Sequence, residues 1–162
     1  MTLLHRLLNL PARVLYLALF LVATGLLSFG LYLQHGLGLE PCPMCIMQRY
    51  AFATAALIAL IAGLHAPGRG GERVYAALIG ASSLTGGGIA ARQSWMQIDP
   101  PLIPECGPGL EFMLESFPLA QALPMIFRGA GDCTVIEWTF LGLSIANWSL
   151  VSFTATVLFA GW

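Results

Sequence analysis

The sequence contains no lysine, and charged residues of all kinds make up only 9% of its 162 positions. A soluble globular domain typically carries about 25% charged residues. Hydrophobic residues account for 57% of the chain, and the mean hydropathy is +0.79. These values exclude an ordinary water-soluble domain and favour a membrane protein. The arginines form no basic cluster, and we therefore expect no nucleic-acid partner.

Four apolar stretches predict membrane-spanning helices, because a helix needs about 20 apolar residues to cross a bilayer. They cover about residues 14–33, 46–64, 74–91 and 140–162. Small residues in the third stretch permit close helix packing. We expect one integral membrane domain over residues 1–162. It would be an all-α, monomeric four-helix transmembrane bundle with a short loop at about 34–45 and a long loop at about 92–139.

Arginine positions predict the orientation of this bundle. Arg6 and Arg13 precede the first stretch, and Arg69 and Arg73 follow the second. The positive-inside rule places these arginines, and with them both termini, in the cytoplasm. All four cysteines then face the opposite compartment. If the membrane is a bacterial inner membrane, that compartment is the oxidising periplasm, where disulfides persist.

The long loop carries a helical pattern of its own. Leu110, Met113, Leu114 and Phe117 are spaced to form one apolar face, and Pro118 ends the pattern. We expect this amphipathic helix to lie in the membrane interface. A small soluble core beneath the loop is the alternative.

Cys42 and Cys45 form a C-x-x-C pair at the outer edge of the second stretch. Such a pair does redox chemistry or binds metal. Pro43 suits the first position of a helix, which would make Cys42 the helix cap and lower the pKa of its thiol. Arg49 lies one turn below Cys45, where it would stabilise a thiolate and bind an electron acceptor.

Two other interpretations of this segment remain open. An arginine near the end of a membrane helix also snorkels towards lipid headgroups. Alternatively, Cys42, Cys45 and His35 would together offer three ligands to zinc. The neighbouring proline and arginine suit a cationic metal poorly, and we therefore prefer the redox interpretation.

Cys106 and Cys133 lie in loop segments rich in glycine and proline. An even number of cysteines on one side of a membrane favours two disulfides, and four cysteines allow three pairings. A disulfide between Cys106 and Cys133 would order the long loop as a structural staple. Exposed disulfides in irregular backbone are, however, typically the reactive ones.

Several further motifs accompany the cysteines and Arg49. They are Gln34-His35, Pro41 before Cys42, Trp95-x-Gln97, Pro100-Pro101, Pro104-x-Cys106-Gly107, Gly129-x-Gly131-x-Cys133, Trp138-x-Phe140-Leu141-Gly142-Leu143 and Trp148. From about Val14 to Phe159 the chain resembles the DsbB family of disulfide bond formation proteins. The four cysteines together with Arg49 make this resemblance specific.

The resemblance implies a relay of thiol–disulfide exchange. A periplasmic thiol oxidase of the DsbA type would attack a Cys106–Cys133 disulfide at Cys106, and the freed Cys133 would attack Cys42. Cys45 would then be a thiolate beside Arg49 and would pass electrons to a membrane quinone. The resemblance implies ubiquinone as that quinone, with menaquinone as the alternative.

At one position the chain departs from the family pattern. Some members carry a histidine beside the quinone, and Gln93 stands at the matching position, next to Arg92. We expect Gln93 to donate a hydrogen bond to the quinone and Arg92 to supply positive charge. Two functions outside this family also remain open. One is a structural membrane protein braced by two disulfides, and the other is a C-x-x-C metal-binding membrane protein.

Overall fold

The structure, a computed structural model, describes residues 11–100, 115–118, 121 and 133–161. Within these ranges the chain forms four α-helices and one antiparallel hairpin of two short strands. The helices are α1 (Ala12–Leu37), α2 (Pro43–His65), α3 (Arg69–Ile98) and α4 (Ile145–Gly161), and the strands are β1 (Thr139–Phe140) and β2 (Leu143–Ser144).

The first three helices are long and apolar enough to cross a membrane. They contain 26, 23 and 30 residues. At a rise of about 1.5 Å per residue, each exceeds the ~30 Å hydrocarbon core of a bilayer. Helix α4 is also apolar but has only 17 residues. These lengths and compositions support the predicted class, an all-α membrane protein. A fourth membrane crossing by α4 stays a prediction.

The fourth apolar stretch is not helical over its whole length. We predicted a helix from residue 140, but α4 begins only at Ile145 because residues 139–144 form the hairpin. Leu141 and Gly142 connect the strands with φ angles of 54° and 79°. Two successive residues with positive φ form the tight turn whose twist matches that of paired strands. Hydropathy does not report such a turn, and the predicted boundary was therefore wrong.

Helix α3 extends beyond the predicted stretch of residues 74–91 at both ends. Residues 92–98, which we had assigned to the long loop, are helical, and Arg92 and Gln93 therefore lie on α3. The apolar pattern ends before the helix does, because the last turns of α3 accept polar residues once the helix leaves the hydrocarbon core.

In the short loop, Gly38 ends α1 with a φ of 71°, which glycine adopts without steric cost.

Helix α1 packs against α2, α2 against α3, and α3 against α4. Gly86 of α3 lets two neighbours approach closely, because a Cβ atom there would lie 2.8 Å from the Cβ of Ala51 and would also overlap the Phe153 ring. That ring stacks on Phe52 with 3.9 Å between the centroids. The small residues of the third stretch thus permit close packing, as predicted.

Part of the predicted long loop lies outside the described residues. Leu110, Met113 and Leu114 belong to that part, and the interfacial amphipathic helix therefore stays a prediction. The orientation of the bundle in the membrane also stays a prediction.

Candidate functional site

Cys42 is the N-terminal cap of α2, as the position of Pro43 predicts. Its sulfur accepts a hydrogen bond from the backbone N–H of Cys45 over 3.3 Å. The Sγ atoms of Cys42 and Cys45 lie 2.8 Å apart and are themselves in hydrogen-bond contact. The first turn of α2 therefore holds the two sulfurs side by side.

A third cysteine joins this pair from a distant part of the chain. Cys133 is fully buried and belongs to one apolar cluster with Cys42, Met44, Ile89 and Met96. A hydrogen bond joins its side chain to that of Cys42. The tertiary fold thus collects three sulfur atoms at one point, with Cys42 in contact with both of the others.

The pKa of the Cys42 thiol is raised above its ordinary value. Hydrogen bonds with Cys133 and then with Cys45 are the main causes, and burial adds to them. We had predicted a lowered pKa from the helix cap alone. That prediction was wrong for this arrangement of thiols, because a proton held between neighbouring sulfurs outweighs the attraction of the helix N-terminus for a thiolate.

Two buried amides border the sulfurs. Nε2 of Gln93 lies 3.3 Å from the Sγ atoms of both Cys42 and Cys45. Oε1 of Gln93 accepts a hydrogen bond from Nε2 of Gln48 over 2.7 Å. The Gln93 side chain is therefore bound to the cysteine pair and to Gln48, whereas its predicted hydrogen bond to a quinone stays a prediction.

Arg49 is half-buried and connects α2 to α1. Its Nη2 donates to the backbone oxygen of Gly30 over 2.9 Å, and its Nη1 donates to Oε1 of Gln34. A Cβ atom at position 30 would already touch the guanidinium at 3.6 Å. These contacts fix the guanidinium one helical turn from Cys45, on the same side of α2.

A cavity of about 880 Å³ opens beside these groups. Cys42, Cys45, Gln48, Arg49 and Gln93 contribute to its polar end. Most of the remaining wall is apolar or aromatic and comes from α1, α2, the hairpin segment and α4; its larger members are Leu26, Leu27, Phe29, Leu33, Phe52, Trp138, Phe140 and Trp148. Its volume and its mixture of apolar walls with a few convergent polar groups are typical of a small-molecule site.

The structure brings together five of the seven residues that we predicted for the site. The five are Cys42, Cys45, Cys133, Arg49 and Gln93, although Cys133 lies behind Cys42 and not in the cavity wall. Arg92 is exposed and does not line the cavity. Cys106 lies outside the described residues, and its predicted role stays a prediction.

Sequence reasoning missed Gln48, which orients Gln93, and the role of Gln34 in anchoring Arg49. A signal for Gln48 was present, since a polar residue within an apolar helix usually faces the interior of the bundle and has a function. The aromatic residues in and beside the hairpin were noted as family motifs but were not assigned to the site. Trp138 stacks on Phe140 with 6.1 Å between the centroids, and Nε1 of Trp148 donates to the Phe140 carbonyl over 3.0 Å.

Comparison with known proteins identifies the family of this chain. The model of the family described as "Disulfide bond formation protein DsbB" matches residues 12–162. The chain belongs to the DsbB family. A Disulfide bond formation protein B from Azoarcus sp. (strain BH72) is 67% identical over 150 residues, covering 93% of this chain and 90% of that protein. The one from Aromatoleum aromaticum is 68% identical over 148 residues, covering 91% and 89%.

A more distant relative, the Disulfide bond formation protein B from Hahella chejuensis, is 48% identical over 145 residues. The match covers 89% of this chain and 88% of that protein. The resemblance read from the sequence motifs is therefore confirmed. Membership identifies the chain as a disulfide bond formation protein and supports thiol oxidoreductase activity. Three long apolar helices agree with a DsbB protein embedded in a membrane.

Proposed function

We propose that this DsbB protein reoxidises a periplasmic thiol oxidase of the DsbA type and transfers the electrons to a membrane quinone. The observation that carries the proposal is the contact of Cys133 with Cys42, whose neighbour Cys45 lines an apolar cavity. A disulfide relay needs such a contact, because a thiolate must reach a disulfide sulfur to exchange with it.

The relay begins at a Cys106–Cys133 disulfide. A thiolate of the reduced partner attacks Cys106, the Cys106–Cys133 bond breaks, and Cys133 leaves as a thiolate. Cys133 then attacks Cys42, which breaks a Cys42–Cys45 disulfide and leaves Cys45 as a thiolate. The second thiol of the partner displaces Cys106, and the partner leaves as a disulfide.

Cys106 then attacks Cys133 in the Cys42–Cys133 bond. This step restores the Cys106–Cys133 disulfide and leaves Cys42 and Cys45 reduced. Two electrons and two protons have thereby moved from the partner to the Cys42–Cys45 pair. The pair is reoxidised when these two electrons and two protons pass on to the quinone.

The cavity fits a quinone in size and chemistry. Its apolar walls suit the ring and the start of an isoprenoid tail, and Arg49 supplies N–H donors at the polar end. When bound, a quinone accepts two electrons and two protons. Arg49 would hold a quinone carbonyl and favour negative charge on Cys45, while the aromatic walls exclude water. We propose ubiquinone as the natural quinone, with menaquinone as the alternative.

The same proposal includes the location of the protein. We infer a monomer in the bacterial inner membrane with four crossings, both termini in the cytoplasm and the cysteines facing the periplasm. In this orientation the water-soluble partner and the lipid-soluble quinone reach the site from different sides. The distribution of Arg6, Arg13, Arg69 and Arg73 supports it.

A turnover assay tests the proposal directly. Purified protein would be mixed with a reduced DsbA-type partner and either ubiquinone or menaquinone, and quinone reduction followed by absorbance. We expect turnover with the wild type and none with Cys106→Ser. Absence of turnover in wild-type protein with all cysteines intact would reject the proposal, and the ratio of the two rates identifies the preferred quinone.

Two alternative functions make different predictions. A structural protein braced by disulfides would not reduce quinone, and its partner-oxidising activity would not depend on Cys45. A metal-binding protein would retain one equivalent of zinc through dialysis. His35, the third ligand of the zinc interpretation, is exposed.

A further inference from the structure

Two buried amides, Gln48 on α2 and Gln93 on α3, contact the redox site directly. Each side chain is only 3% exposed. A buried amide without partners costs about 1–3 kcal/mol, and buried polar groups are therefore almost always hydrogen-bonded. The partners here are the other amide and the sulfurs of Cys42 and Cys45. Such an arrangement affects the chemistry of the sulfurs as well as the packing of the two helices.

The hydrogen bonds decide which end of the Gln93 amide faces the sulfurs. Gln48 donates through Nε2 to Oε1 of Gln93 over 2.7 Å. This bond leaves the NH₂ group of Gln93 directed at the two Sγ atoms, each 3.3 Å away, while Oε1 accepts only a longer contact of 3.7 Å from Sγ of Cys45. A reversed Gln93 amide would place its NH₂ group against that of Gln48 and its oxygen against two sulfurs. Gln48 thus selects the orientation that presents N–H donors to the cysteine pair.

We propose that Gln48 and Gln93 form a positioning pair that stabilises the reduced state of Cys42 and Cys45 and so raises their reduction potential. Reduction of the disulfide by two electrons and one proton leaves a Cys42 thiol and a Cys45 thiolate, and a thiolate accepts hydrogen bonds more strongly than a disulfide sulfur does. An amide N–H stabilises such a sulfur without carrying a charge of its own. The proposal rests on the redox role of the pair given under the proposed function.

The first test replaces Gln93 by methionine, which has a similar length and volume but no N–H donor. The measured quantity is the equilibrium constant of the Cys42–Cys45 pair with dithiol–disulfide buffers, in full-length protein with four cysteines and without quinone. Alkylation followed by mass spectrometry of the cysteine peptides separates this pair from Cys106 and Cys133. For Gln93→Met we expect the constant for reduction to fall about tenfold, which equals about 30 mV.

The second test reverses the amide instead of removing it. A carboxylate accepts hydrogen bonds but donates none. Gln48→Glu would therefore draw the NH₂ group of Gln93 away from the sulfurs, and we expect the equilibrium constant for reduction to fall about as much as with Gln93→Met. Gln48→Met removes the anchor without reversing the amide, and we expect it to lower the same constant about threefold. Gln121→Met, at an exposed glutamine outside the cavity, is the matched control and should leave the constant unchanged.

Unchanged equilibrium constants in both Gln93→Met and Gln48→Glu would overturn the proposal. It would also be overturned by a raised KM for quinone at an unchanged constant, which would assign Gln93 to the quinone instead. If Gln93→Met fails to fold, the two Gln48 variants decide the question. If wild-type protein does not turn over quinone, the proposed function fails, whereas the constants measured without quinone still test the amide pair.

Discussion

The two ends of the helix bundle differ in how tightly they are packed. At one end the start of α1, the end of α2 and the start of α3 form a cluster of Tyr16, Ala59, Ala62 and Ile79. A Cβ atom at Gly63 would lie 2.8 Å from Leu17 in this closed end. At the opposite end, where the cysteines lie, the same three helices border a cavity of about 880 Å³.

The difference follows from the size and polarity of the side chains. Alanine and glycine let helices approach closely, so that dispersion forces stabilise the closed end, where Tyr16 also donates a hydrogen bond to the Glu72 carbonyl. At the cysteine end, larger polar side chains bridge the helices. Gln48 of α2 donates to Gln93 of α3, Arg49 donates to the Gly30 carbonyl of α1, and Gln93 donates to the sulfur of Cys42. We infer that the closed end stabilises the bundle and that the cysteine end keeps the space and the donors that chemistry requires.

The largest expected effect is at Cys45. Cys45→Ser replaces the sulfur by a hydroxyl of similar shape, which cannot form or receive a disulfide. We expect oxidation of a reduced DsbA-type partner to fall at least about a thousandfold, while the thermal midpoint in detergent stays within a few degrees. Partner oxidation measured by thiol trapping checks this. Unchanged oxidation would favour the purely structural function and would remove the chemical role of the cysteine end.

A change at the closed end should affect stability and not chemistry. Gly63→Ala forces Leu17 to move, and overpacking of this kind costs about 1–3 kcal/mol. We expect a lower thermal midpoint, with the KM for quinone unaltered. Gly25→Ala is the matched control, because a Cβ atom there meets nothing within 4 Å. Equal losses of stability in both variants would show that close packing at Gly63 is not what holds this end together.

At the cysteine end, Arg49→Ala should act mainly on quinone binding. The change removes the guanidinium from the cavity together with its bonds to Gly30 and Gln34, and we expect the KM for quinone to rise about tenfold. Steady-state kinetics at varied quinone concentration measure it, with Arg69→Ala at the closed end as the control. An unaltered KM would contradict the assigned role and favour an arginine that only joins α1 to α2.

The smallest effect concerns the protonation of Cys42. An ordinary cysteine has a pKa of about 8.5, and its alkylation rate levels off above that pH. Because hydrogen bonds with Cys133 and Cys45 raise the pKa of Cys42, the thiolate fraction of reduced protein should still be increasing at pH ~10. Alkylation of Cys42, followed by mass spectrometry between pH ~7 and ~10, reports this profile. Limited access slows the reaction at every pH, whereas the pH at which the rate levels off reports the pKa, and a plateau below pH ~8.5 would restore the helix cap as the dominant influence.

Much of the local structure was predictable from sequence. Composition and the apolar stretches predicted the membrane class, and Pro43 predicted that α2 starts there with Cys42 as its cap. The helix ends were less accurate. The α4 boundary was misplaced because Leu141 and Gly142 form a turn inside an apolar stretch, and α3 was predicted too short because its last turns are polar.

The sequence by itself determined the family, the C-x-x-C pair and the position of Arg49 one turn below it, since these depend on motifs and on the helical repeat. Only the tertiary structure decided that Cys133 packs on Cys42, that Arg92 lies outside the cavity and that Gln93 donates to two sulfurs under the control of Gln48. These contacts join residues far apart in the chain. They depend on how closely the helices pack and how each is rotated, and no local pattern encodes either quantity.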